Sequence, residues 1–321
     1  MNCLSRCLIA ACLGAAALAS GAADAPSALL SGPYKDVSIG LDPKTPLIAP
    51  LPAGLRSVSW GFATGECGEE RWGDVDTAAF AQLNVEAHRR SGQRYIVSTG
   101  GEAGIFTCDS DEGMASFAAR YDSPQLIGFD FDIEGKQTPA QIDSLMQRVR
   151  TLQQRRPQLR FSFTLATFAA SDGSGRSLNA LGVQVLQAAR RHAIQKPVFN
   201  LMVMNYGPAN PQHCVVKTGQ CDMGASALQA ARNLQRKHGV PPAQIALTAM
   251  LGVNDVVANV FTPADAQTLV RGARDMGLAG VHYWSIDRDK PCPPDAARVS
   301  PICHALPGLE PSTFTRILAA D

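Results

Sequence analysis

The segment Asp130-Phe131-Asp132-Ile133-Glu134 places three carboxylic acids at every second position. Alternate side chains of an extended strand share a face, so the acids point one way while Phe129, Phe131 and Ile133 point the other. The apolar side belongs against a core and the acid side in a cavity. Ionised carboxylates held together away from water are costly. Crowding also splits their pKa values, so that one acid keeps its proton near neutral pH. A protonated acid beside ionised ones is what general acid catalysis requires. The chemistry read from this strand is hydrolysis, with Asp130, Asp132 and Glu134 as its acids.

Other chemistries fit the same letters less well. Asp130-x-Asp132-x-Glu134-Gly135 has the opening of a calcium-binding helix-loop-helix loop, yet the twelfth position is Gln141, where a bidentate Glu is needed. A single metal cage is hard to build on a strand: alternate residues sit roughly 6.6 Å apart, which separates Asp130 and Glu134 by about 13 Å at Cα. An exposed acidic strand is the remaining non-catalytic reading. No metal and no cofactor is expected.

Such a strand needs neighbours. Extended patterns cover Lys35–Leu41, Leu55–Ala63, Arg94–Thr99, Leu126–Glu134, Arg160–Thr167, Val198–Tyr206, Gln244–Leu251 and Gly280–Ile286. Helical patterns lie between most of them: Thr77–Arg90, Met114–Tyr121, Pro139–Gln154, Ser177–His192, Gly224–His238 and Pro263–Met276. The clearest repeats Ile142, Leu145, Met146, Val149 and Leu152 at helical spacing, capped by Thr138 with Pro139 in the first turn. Thr262-Pro263 opens another in the same way, with Asp265 completing a capping box. The proline-rich first crossover, Asp42–Gly54, lacks a helical pattern. Strands alternating with helices call for a parallel sheet, and eight of them fit a single (β/α)8 TIM barrel. An open dinucleotide-binding sheet would show a glycine fingerprint after its first strand, and none is present. The chemistry of a barrel lies at the C-terminal ends of its strands.

The N-terminus carries Arg6, an apolar run from Leu8 to Leu18, and small residues to Ala23, the pattern of an export signal over residues 1–23. Residues 24–321 are then read as one mature domain, secreted or periplasmic. The run is too short to span a bilayer, and no later segment is long enough. The mature chain keeps Cys67, Cys108, Cys214, Cys221, Cys292 and Cys303. An even number in an exported chain reads as disulfides, although six cysteines allow about 15 pairings. Proximity favours Cys214 with Cys221 and Cys292 with Cys303, which leaves Cys67 with Cys108. Zinc is disfavoured because no CxxC pair exists. Lys and Arg number 29 against 28 Asp and Glu; loss of Arg6 with the signal leaves them equal. There is no basic stripe of the kind nucleic acid needs, and a monomer is expected.

At this point the residues carry a family resemblance. Gly128-Phe129-Asp130-Phe131-Asp132-Ile133-Glu134 resembles the DxxDxDxE signature of glycoside hydrolase family 18, the chitinases. Ser98-Thr99-Gly100-Gly101 is similar to the SxGG motif closing that family's third strand, Met204-Asn205-Tyr206 to the Met-x-Tyr motif ending its sixth, and Trp284 to the tryptophan ending its eighth. Leu251-Gly252-Val253-Asn254-Asp255, Val260-Phe261-Thr262 and Trp284-Ser285-Ile286-Asp287-Arg288-Asp289 look like the compact bacterial members. The similarity covers nearly the whole mature chain.

The resemblance implies retaining hydrolysis of chitin or N-acetylglucosamine oligomers with help from the substrate, outside the usual two-carboxylate scheme. Glu134 would be the proton carrier, Asp132 would hold the acetamido N–H and steady an oxazolinium ion, and Asp130 would share a proton with Asp132. Tyr206 would bond the acetamido oxygen and Trp284 would floor the sugar, with Met204, Asn205, Gly100, Gly101 and Asn254 as further substrate contacts. Ser98 reads as support for the acids, and His282 as a core residue. Two departures stand out: Ile127 replaces the first Asp of the motif, and Asn205 stands where the bacterial relatives usually show Asp. An endo-β-N-acetylglucosaminidase acting on N-glycans would use the same acids. A chitin-binding lectin would usually lack Glu134.

Overall fold

In the computed structural model, which describes residues 30–40, 44–47, 51, 52, 55 and 57–319, eight parallel strands close into a barrel in chain order. They are β1 (Leu30–Asp36), β2 (Ser57–Ala63), β3 (Arg94–Gly100), β4 (Leu126–Ile133), β5 (Arg160–Ala166), β6 (Val198–Met202), β7 (Ile245–Met250) and β8 (Gly280–Trp284). Helices α1 (Thr77–Ser91), α2 (Asp111–Arg120), α3 (Pro139–Arg155), α4 (Ala180–Arg191), α5 (Met223–His238), α6 (Pro263–Asp275) and α7 (Thr313–Leu318) surround it. The expected TIM barrel is borne out. The export signal read over residues 1–23 lies outside the described residues.

Helix starts follow local chemistry. The Thr138 hydroxyl accepts from the Gln141 amide while the Gln141 side chain accepts from the Thr138 amide, and Thr262 and Asp265 do the same at α6. The outer face of β4 is an aromatic seam: Phe129 lies 4.9 Å from Phe117 of α2, and Phe131 stacks 5.7 Å from Phe163 of β5. Each such ring, once buried, stabilises by about 1.5–3 kcal/mol. That packing forces the alternate residues of β4 inward.

Three expectations need correction. The first strand is Leu30–Asp36 rather than Lys35–Leu41. Beyond Asp36 the chain turns, with the Ser38 amide donating to Asp36 Oδ1 (2.9 Å) and Lys35 Nζ to Ile39 O (3.0 Å). The alternation of Val37 and Ile39 therefore belongs to a turn and not to a strand. The sixth strand stops at Met202, and Asn205 takes a left-handed φ of 52°, so Met204 and Tyr206 lie on a loop rather than on a strand face. The eighth strand stops at Trp284, where a single 3-10 turn (Ile286–Arg288) begins. Helix α7 was not anticipated; the Asp289 carboxylate caps it, accepting from the Phe314 and Thr315 amides at 3.1 and 2.7 Å. The described residues of the first crossover hold no helix, and Leu51 and Leu55 are buried there.

Three disulfides form in the pairing that proximity favoured: Cys67–Cys108, Cys214–Cys221 and Cys292–Cys303. Each ties loops that leave the C-terminal ends of strands, so all three brace one face of the barrel. The longest, with a sequence separation of 41, contributes roughly 4 kcal/mol in the chain-entropy account. Among the described residues no helix is long and apolar enough to cross a membrane.

Candidate active site

The barrel interior is polar where most such barrels are filled by branched aliphatic residues. Strand register explains how. Asp130 pairs with Ser98 on one side and Ser162 on the other, Asp132 with Gly100 and Thr164, and Thr164 with Asn200. Asp130, 1% exposed, accepts from Ser98 Oγ (2.6 Å), Ser162 Oγ (2.6 Å), Thr164 Oγ1 (2.9 Å) and the Tyr34 hydroxyl (3.0 Å). Asn200 Nδ2 in turn donates to the Tyr34 and Thr164 oxygens at 3.0 and 2.8 Å, and Thr248 Oγ1 to Asn200 Oδ1 at 2.9 Å. Burial pushes the Asp130 carboxyl up, and this ring of hydroxyls pulls it back. Ser98 supports the acids, as its position implied.

Asp132 is different. It is 4% exposed and its Oδ1 is buried with no hydrogen-bond partner. Burial first, then the charges of Glu134 and Asp130, hold its carboxyl well above the usual range. No hydrogen bond joins Asp130 to Asp132 among the described residues; Asp130 spends its oxygens on hydroxyls.

Glu134 sits one residue beyond the end of β4 and is half-buried. Burial raises its carboxyl to about 7, with Glu102 and Asp255 adding their negative charge. These two acids belong to the loops after β3 and β7 and are exposed. The Glu134 carboxyl is expected to titrate near 7, and Asp255→Asn to move it downward, as read by carbon-13 carboxyl NMR. An unmoved titration would show that the Asp255 charge does not reach Glu134.

Around the acids the other expected residues take distinct places. Gly100 and Gly101 have φ of 85° and 79°. A Cβ on Gly100 would lie 2.1 Å from Asp132 O, and one on Gly101 2.7 Å from the Phe62 ring. Gly100 lets the end of β3 pass close to β4 and Gly101 lets it pass close to Phe62 of β2, and both are buried. Trp284 is half-buried and stacks on Phe62 (5.4 Å, 17°), with Tyr34 at 6.1 Å. Tyr206 is 4% exposed, its hydroxyl has no partner, and burial raises its pKa. Met204 is half-buried on the same loop. Asn254 is fully buried and donates to Met250 O and Gly252 O (3.0 and 3.1 Å), so it holds a loop rather than facing a ligand. His282 lines the barrel, contacts Gly32 O (3.3 Å), and is pushed down to about 3 by burial and then by Arg160.

Tyr34, Ser162, Thr164, Asn200, Phe62, Glu102 and Asp255 were not singled out from sequence. A signal existed for two: Ser162 and Thr164 alternate with Phe161, Phe163 and Leu165, the pattern of a strand with a polar inner face. Tyr34 was missed with the first strand.

No family model matches the chain. The chain is 28% identical over 247 residues, 71% of its length, to the "Probable bifunctional chitinase/lysozyme" of Escherichia coli K12. It is 28% identical over 229 residues, 66% of its length, to "Endochitinase 11" of Metarhizium anisopliae. It spans only 26% and 43% of those relatives' own lengths. Among solved structures, the catalytic domain of a hyperthermophilic chitinase from Pyrococcus furiosus matches with a TM-score of 0.70 at 25% identity, over 90% of this chain and 93% of that one. A family-18 chitinase from Flavobacterium johnsoniae, with a TM-score of 0.50 at 14% identity over 80% of this chain and 87% of that one, shares the fold alone. With the acid strand at the mouth of such a barrel and its likeness to chitinases running through most of the sequence, this chain resembles the chitinases of glycoside hydrolase family 18.

Proposed function

We propose that the chain is an exported chitinase that hydrolyses β-1,4 bonds between N-acetylglucosamine units with retention, using the substrate's own acetamido group as nucleophile. The observation that carries this reading is a pair of unsatisfied buried atoms, one on the acid strand and one on the loop after β6. Asp132 Oδ1 lacks a donor and the Tyr206 hydroxyl lacks an acceptor. Unpartnered polar atoms in a dry site are destabilising until something meets them. A secondary amide offers one N–H and one carbonyl, the complement of that pair.

In the proposed sequence Glu134 donates its proton to the glycosidic oxygen as the bond to the anomeric carbon breaks. The acetamido carbonyl oxygen, held by Tyr206, attacks that carbon from the opposite face and forms an oxazolinium ion. Asp132 turns to the acetamido N–H and balances the positive charge. Water then attacks the anomeric carbon, Glu134 takes the water's proton, the ring opens, and the β configuration returns. Two displacements at one carbon give retention. Trp284, backed by Phe62 and Tyr34, offers an aromatic face to the C–H side of the sugar. Export, with residues 1–23 removed, accords with the three disulfides, which persist in oxidising compartments.

Product analysis on defined N-acetylglucosamine oligomers tests the reading, with a glycoprotein run beside them. Shorter oligomers released first as the β anomer are expected, as seen by proton NMR. Cleavage of the glycoprotein alone would assign the site to N-glycan cores, and binding of oligomers without cleavage would make the protein a lectin.

A further inference from the structure

Asparagine side chains bind two loops of the barrel mouth to each other. The loop after β6 carries Asn205, Tyr206 and Gly207; the loop after β7 carries Asn254, Asp255, Val256 and Asn259. Asn205 spends both ends of its amide, with Nδ2 donating to Asp255 Oδ2 (3.0 Å) and Oδ1 accepting from the Val256 amide (3.0 Å). The Asn205 backbone N–H donates to Asn254 Oδ1 (3.3 Å). Asn259 grips Gly207 at two points: Oδ1 accepts from the Gly207 N–H (3.2 Å) and Nδ2 donates to the Gly207 carbonyl (3.0 Å).

Tyr206 is therefore the one residue between two clamped neighbours, and its own hydroxyl is unpartnered. The clamp has a firm base. Asn254 and Asn259 are at most 1% exposed. Arg288, 2% exposed, donates to the carbonyls of Leu251, Val253 and Ser300 and so holds the second loop from behind.

We infer that Asn259, together with Asn205, is a positioning residue that fixes the Tyr206 phenol for the reacting amide without touching substrate. This rests on the reading of the site given above. Only a planar amide presents a donor and an acceptor side by side to match a backbone N–H and C=O. A carboxylate at 259 would lose the donated bond and set a buried charge against the Gly207 carbonyl. The same logic applies at 205. Asn205 stands against the carboxylate of Asp255, where a second acid would repel it. The mouth already holds Glu102, Asp132, Glu134 and Asp255, so a neutral clamp adds no further charge.

The test is a double-mutant cycle of Asn259→Ala with Tyr206→Phe, read on N-acetylglucosamine oligomers. Misplacing a group by about 1 Å can lower a rate ~100-fold. Asn259→Ala is expected to lower kcat ~10–100-fold with KM within about twofold, and to have under about a twofold further effect once Tyr206 is Phe. Equal losses in both backgrounds would overturn the inference. If Asn259→Ala does not fold, Asn205→Ser opens the other half of the clamp and is read in the same cycle. Amide hydrogen exchange at Asn205 and Gly207 tests the clamp whatever the substrate proves to be. Faster exchange there, with the barrel strands still protected, is expected of Asn259→Ala; unchanged exchange overturns the clamp. A wild-type protein inert on oligomers would refute the proposed function and leave that second measurement standing.

Discussion

Glu134→Gln is expected to cut release of soluble sugars from N-acetylglucosamine oligomers by ~10³-fold while leaving the fold and oligomer binding intact. Gln has the shape of the acid and no transferable proton, and positioned acid–base groups contribute ~10²–10⁴-fold. A variant that kept a tenth of the activity would show that another group carries the proton. In the wild type, kcat/KM should fall as pH rises through about 7, where Glu134 loses the proton that the first step consumes. The same residue leaves a mark on stability. Its folded-state pKa lies above the ordinary value of 4.5, so the folded protein holds the proton more tightly than the unfolded chain. The stability this confers is complete below about 4.5 and is lost as pH rises through about 7. Glu134→Gln should therefore melt higher than wild type at pH 8 and alike at pH 4, as differential scanning calorimetry would record.

Asp132→Asn is the second large effect, expected to lower kcat by ~10²–10³-fold, the usual consequence of removing one preorganised electrostatic partner of a developing charge. The amide fits the same space and even resembles the protonated acid. It cannot supply the negative charge that the proposed oxazolinium ion needs. The loss should fall on kcat, with KM changed little, because the charge develops after binding. Stability at neutral pH should rise, since a buried carboxyl held well above its ordinary range opposes folding when ionised. A loss recovered by added divalent cation, or sensitivity of the wild type to chelators, would instead favour a metal mechanism. Preservation of most of the activity would remove Asp132 from the reaction.

The acid strand was legible because its two periodicities agree: Phe129, Phe131 and Ile133 need a core, and the same alternation turns Asp130 and Asp132 into the barrel. Helices α3 and α6 were legible from their caps, where a hydroxyl three residues before an acceptor side chain satisfies free amides locally. The first strand was not. Gly32 and Pro33 are poor strand formers by propensity. The barrel nonetheless uses Gly32, because a Cβ there would come within 2.4 Å of Ser57 O on the neighbouring strand. That demand comes from a residue 25 positions away and leaves no local trace.

Sequence by itself determined the acid strand, the alternation that makes a barrel, and the family resemblance, because each depends on residues close together along the chain. Tertiary structure alone decided which acid is satisfied. Ser98, Ser162, Thr164 and Tyr34 reach Asp130 from three other strands, while Asp132 and Tyr206 are left without partners. It also decided that Asn205 and Asn254 hold loops and that the charges of Glu102 and Asp255 act on Glu134. Hydrogen bonds and charges act through space over a few ångströms, and only the closed barrel brings residues so far apart in the chain within that reach.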